Sequence, residues 1–155
     1  MSQTALPDAR SLAALVSTVT ETMCGLSFEP VLSLDRLPGA GLEWRIARLP
    51  IPGQRPINIA LCSDVQGSST LGAALFSCPV DSLDASMLDD SLCELLNMTA
   101  GQIKSALSLD QALGLPRMLK SNDVPESLSA ALRDGTVLRA RGDVNLILWI
   151  TEGSD

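Results

Sequence analysis

The chain has 155 residues, 46% of them hydrophobic, with two Phe, two Trp and no Tyr. That length fits one domain, residues 1–155, around a largely aliphatic core. A formal charge of −7 argues against nucleic acid or an anionic membrane surface as partner, since both need basic footprints. No apolar run reaches the roughly 18 residues of a spanning helix. The first residues, Met1 to Asp8, lack a basic segment followed by an apolar one, so a cytoplasmic protein is expected. The cysteines Cys24, Cys62, Cys78 and Cys93 are widely spaced, and there is no histidine. Zinc-site spacing is therefore absent, and buried free thiols are expected. Without histidine the usual general base of a Ser or Cys hydrolase is missing.

In chain order, Asp8 to Cys24 reads as a first helix. Pro7-Asp8 starts it, Leu12, Leu15, Val16, Val19 and Met23 form its stripe, and Gly25 stops it. Ser27 to Gly41 is a connection, with room for a short strand at Val31 to Leu34. Three strands are then expected: Leu42 to Leu49, Pro56 to Cys62, and Thr70 to Cys78. The third is apolar on both sides, which suggests a central strand, with Gly72 marking a bulge or a close approach. Residues 50–53 and 64–68 supply turns. Ser86 can cap the next helix, with Asp89 completing a capping box. After it, Leu113 to Leu119 can form an edge strand and Pro125 to Leu132 a short helix or turn. The clearest hairpin is Thr136 to Arg141, the turn Gly142-Asp143, and Val144 to Thr151, whose residues alternate. The whole predicts an α+β fold: two long helices packed on a mainly antiparallel sheet of five to six strands.

The segment Asp90 to Leu107 is a helix with two unlike faces. Leu92, Leu96, Thr99, Ile103 and Leu107 form an apolar stripe. At about 100° per residue, Asp90, Glu94, Asn97, Gly101, Lys104 and Ser105 fall opposite. Glu94 and Asn97 are three apart and therefore neighbours. Glycine inside a helix costs roughly 1 kcal/mol relative to alanine. Gly101 in mid-face makes sense if another molecule approaches the backbone there.

Asp90, Glu94 four on and Asn97 three further, followed by Gly101 and Lys104-Ser105, resembles the signature helix of the CheX branch of the CheC/CheX/FliY chemotaxis phosphatases. The resemblance spans roughly Ala9 to Thr151, and its specific part is this helix. It implies hydrolysis of the aspartyl phosphate of a CheY-like response regulator. It implies catalytic roles for Glu94 and Asn97, and partner docking by Asp90, Gly101 and Lys104. It implies no metal or cofactor of the chain's own, with Mg²⁺ in the regulator, and a homodimer. The first helix repeats the spacing as Ser17, Glu21 and Cys24, with cysteine where asparagine would stand. This resembles the one-site members, with Ser17 and Glu21 simply solvated.

Two other classes fit the same residues. One is a non-catalytic adaptor that binds a response regulator through the same face. The other is a structural dimerisation module whose polar face is only solvated, with Asp90 supporting the helix dipole and Lys104 a solvated cation near the helix end.

Overall fold

The computed structural model describes residues 7–32, 44–54, 56–119 and 130–153. Helix α1 runs Ala9–Cys24 and strand β1 Phe28–Pro30. Strands β2, Arg45–Ile51, and β3, Ile57–Ser63, form an antiparallel pair. Helix α2, Val65–Phe76, and helix α3, Ala85–Ala106, follow in succession. Strands β4, Arg117–Leu119, β5, Gly135–Ala140, and β6, Leu146–Glu152, complete the order. The six strands form one sheet ordered β1-β5-β6-β3-β2-β4, every neighbouring pair antiparallel. The predicted α+β class and the strand number stand.

The third expected strand does not form. Thr70 to Cys78 instead falls in and just beyond the second half of α2. Its run of small apolar residues reads as continuous in either structure. The decisive signals lie before it. The Asp64 carboxylate accepts the Gly67 N–H at 2.7 Å, which caps a helix. From there the buried positions Gly67, Ser68, Leu71 and Gly72 follow helical spacing. A side chain at Gly72 would meet Ser91 Oγ of α3 at 2.9 Å, so this glycine marks a close approach rather than a bulge. The segment expected as a turn, 64–68, is the start of the same helix.

Asp64 also accepts the Asn145 amide at 2.6 Å, which joins the start of α2 to the loop before β6. Asp64 is buried. Asp64→Ala is therefore expected to remove a helix cap and strand a half-buried amide, at a cost of about 2 kcal/mol. Urea unfolding should show a lower midpoint with an unchanged slope, and Asp64→Asn should recover part of the loss.

The other expectations move by a few residues. Asp8 caps α1 by accepting the Ser11 N–H at 2.8 Å, and Gly25 ends it in the left-handed region. The short strand near residue 31 begins earlier, at Phe28, and residues 33–34 lie outside the described part. The Leu113 to Leu119 strand is confined to Arg117–Leu119 and does lie at the sheet edge. Of Pro125 to Leu132, residues 130–134 make a helical turn, and the rest lies outside the described residues. The β5–β6 hairpin has a five-residue loop, 141–145, rather than a two-residue turn, because Asn145 is held by Asp64.

One sheet face carries Leu49, Ile51, Ile59, Leu61, Leu138, Leu148 and Ile150, which pack with Leu12 and Val16 of α1, Leu71 of α2 and Leu92, Leu95, Leu96 and Ile103 of α3. The alternate residues, among them Ile46, Ala60, Val137, Ile147 and Trp149, form a second apolar cluster on the other face. Helix α3 lies over β2 and β3 and touches both α1 and α2. It is thereby held rigidly with one side free.

Candidate functional site

The free side of α3 is the predicted one. Leu92, Leu96, Thr99, Ile103 and Leu107 are all buried. Asp90 and Glu94 are exposed, and Asn97, Gly101 and Lys104 are half-buried. The five positions advance by four, three, four and three residues, which sets them in a ridge along roughly 21 Å of helix. Neighbours along such a ridge have Cβ atoms about 5–6 Å apart. Among the described residues, no side-chain hydrogen bond or ion pair engages Asp90, Glu94, Asn97 or Lys104. A side chain built at Gly101 would meet nothing within 4 Å. The structure therefore brings the sequence-predicted residues onto one accessible strip, with Glu94 and Asn97 side by side.

Three local choices on this strip work against the isolated protein. Asp90 and Glu94 are like charges four apart, which destabilises a helix by about 0.2–0.5 kcal/mol. Gly101 gives up helix propensity without packing in return. Asn97 is a weaker helix former than the alanine that would fit there. Local rules broken together on one face point to a function for that face. Gly101→Ala should accordingly raise stability by up to about 1 kcal/mol, roughly 2–4 °C in melting temperature for a chain of this size. A methyl group there should also weaken the binding of any partner that docks on this strip. Calorimetry beside a binding titration checks both halves, and a purely structural face would show only the first.

What orients the strip was less legible in the sequence. The helix cap is Asp84, which accepts the Met87 N–H at 2.8 Å, and not Ser86. Asp89 is not part of a capping box: it pairs with Arg45 on β2 and so ties the first turns of α3 to the sheet. Nothing local signals a contact across 44 residues. Ser91, also buried, donates to the Met87 carbonyl at 2.7 Å under Gly72. Thr99 Oγ1 is fully buried and has no partner among the described residues.

The thiols are free, as expected, but only Cys62 is buried, while Cys24, Cys78 and Cys93 are half-buried. Burial pushes the Cys62 thiol far up, out of reach of ordinary pH. Cys93, next to Glu94, is also raised, by burial first and then by the Asp89 and Asp90 charges. It is therefore a poor nucleophile at neutral pH. Among the described residues, no cluster of three or more Cys, Asp or Glu could hold a metal ion.

The repeated spacing on α1 has a different use. Glu21 is exposed as expected, but Ser17 is buried rather than solvated. Its hydroxyl accepts the Phe28 N–H at 2.9 Å and lies 3.4 Å from the Phe28 carbonyl. Phe28 is on an edge strand, and Pro30 beside it has no N–H to offer. Ser17 and Pro30 thus blunt that edge against further strand pairing. Cys24 Sγ turns back to the Thr20 carbonyl at 3.2 Å.

Residues 49–133 match the family model described as chemotaxis phosphatase CheX. The chain belongs to the CheX family. The matched segment contains the whole of α3. No curated protein sequence matches the chain. Solved structures share the fold at low identity. CheX from Vibrio vulnificus is 14% identical with a TM-score of 0.64, covering 92% of this chain and 96% of that one. CheX of Borrelia burgdorferi, in a complex with CheY, BeF3 and Mg²⁺, is 12% identical with a TM-score of 0.69, at the same coverages. A CheC-like superfamily protein from Shewanella sp. PV-4 is 14% identical with a TM-score of 0.62, covering 92% and 95%. No helix among the described residues of this CheX-family chain is long and apolar enough to cross a membrane.

Proposed function

We propose that this chain is a phosphatase for the aspartyl phosphate of a CheY-like response regulator, and that α3 is its working surface. The observation that carries the reading is the strip itself. Glu94 and Asn97 stand unpartnered beside a glycine whose Cβ position is open, on a helix wholly within the CheX match. The CheX of Borrelia burgdorferi, whose fold this chain shares, forms a complex with CheY.

Phosphoryl transfer asks for positioning and charge balance more than for covalent help. A carboxamide offers a donor and an acceptor on one planar group. Asn97 holds the attacking water in line with the departing aspartyl oxygen. An amide is no base at neutral pH, so its gain comes from orientation. Glu94 pairs with a lysine of the regulator, and that pairing also relieves its repulsion from Asp90. Asp90 and Lys104 extend the contact along the ridge, and Gly101 lets the regulator come near the backbone. Mg²⁺ belongs to the regulator, where it balances phosphoryl charge. In this reading the protein acts in the cytoplasm as a homodimer.

The test is phosphate release from phosphorylated, Mg²⁺-bound receiver domains of the same cell. Faster release with the protein present supports the phosphatase. Binding without acceleration would make the chain an adaptor, and neither result with any receiver would leave α3 a structural helix.

A further inference from the structure

On the sheet face turned away from the three helices, two arginines stand opposite each other. Arg48 of β2 is the register partner of Arg117 of β4. Cross-strand partners project from the same face, and like charges placed directly opposite work against the sheet. Both line a cavity of about 430 Å³ at the turn end of the β2–β3 hairpin. That size is within the range of small-molecule sites.

The cavity is built rather than incidental. Asn58 Oδ1 accepts from Arg48 Nη2 at 2.8 Å and from Nε at 3.2 Å. Asn58 in turn donates its amide to the Gly153 carbonyl at 2.6 Å, so it holds the Arg48 guanidinium in a set plane. Pro50, Pro52 and Pro56 supply a stiff apolar wall. The chain leading to Arg117 is strapped to that wall. Gly114 N–H donates to the Pro50 carbonyl at 2.7 Å, and a side chain at Gly114 would collide with Pro50 at 2.6 Å. Burial, and then the Arg117 charge, pull the Arg48 pKa down, the expected sign for a cation held beside another. A guanidinium keeps its charge even so.

We propose that this pocket binds a phosphate monoester dianion, its phosphoryl group between Arg48 and Arg117 and its organic part against the proline wall. Two adjacent positive charges, one of them held by Asn58, match a dianion, whereas a carboxylate brings one negative charge. Guanidinium groups suit phosphoryl oxygens in geometry as well as charge. A rigid pocket loses little freedom on binding. The site is independent of the α3 strip, which lies on the helical side of the sheet, so it stands or falls apart from the phosphatase reading.

The probe is phenyl phosphate, with benzoate and sodium chloride as comparators at constant ionic strength, followed by amide NMR. Saturable shifts are expected at Asn58, Arg117 and Met118. Arg117→Ala should weaken binding at least tenfold, and benzoate should bind at least tenfold more weakly than phenyl phosphate. Arg117 is exposed, so this variant folds. It should melt higher than wild type in phosphate-free buffer, because the opposed charges are gone, and phenyl phosphate should narrow that gap by stabilising only the wild type. Absence of saturable shifts, equal affinity for benzoate, or undiminished binding by Arg117→Ala would each overturn the proposal.

Discussion

Asn97→Ala is expected to reduce aspartyl-phosphate hydrolysis by on the order of 100-fold or more, the scale of losing one well-placed orienting group, while regulator binding stays nearly unchanged. Asn97 is half-buried and engages no other described side chain in a hydrogen bond, so nothing in the fold depends on its amide. Alanine is also the better helix former. The variant should then melt at or slightly above the wild-type temperature. A loss of kcat without loss of stability or of Kd assigns the residue to the chemical step. Single-turnover decay of a phosphorylated receiver, beside a binding titration with the same receiver, separates these quantities. A parallel fall in binding and turnover would instead make Asn97 a docking residue.

Glu94→Lys is expected to act on binding first. Removing one partner of a charge pair across an interface costs about 2 kcal/mol or more, roughly 30-fold in Kd. Reversing the charge adds repulsion against the regulator's lysine. Both Kd and kcat/KM should therefore move, with kcat at saturating regulator affected less. Because Glu94 is exposed and shares its ridge with Asp90, the substitution also turns a like-charge pair into an attractive one, and the variant should be no less stable than wild type. The wild-type affinity should fall as salt is raised, and in the variant, where salt screens a repulsion instead, that dependence should weaken or reverse. Unchanged affinity in Glu94→Lys would remove this residue from the docking contact.

The exposed strip of α3 was legible because both faces of the helix are written in local spacing. The 3.6-residue period of Leu92, Leu96, Thr99, Ile103 and Leu107 sets the helix and its buried side, and Asp90, Glu94, Asn97, Gly101 and Lys104 then have only the opposite side to occupy. Strands β3 and β6 were equally readable from alternation. Thr70 to Cys78, largely helical where a strand is expected, marks the limit of periodicity. Small apolar residues such as Ala73, Ala74 and Gly72 carry no period of their own, so the caps and the neighbours choose the conformation. Asp64 is both a cap for α2 and an anchor for Asn145, and only the second role required the fold.

Determined by the sequence alone, then, were the α+β class, the motif helix and which side of it faces outward, since each depends on residues within a few turns or strand steps. The tertiary structure decided the rest. It decided where α2 packs, because Gly67 and Gly72 allow it to lie close against the loop before β6 and against α3. It gave Asp89 to Arg45 rather than to a capping box, and Ser17 to the edge of β1 rather than to solvent. It set Arg48 opposite Arg117. Each of these joins residues brought together only when the sheet closes and the helices settle on it, so no local pattern could encode them.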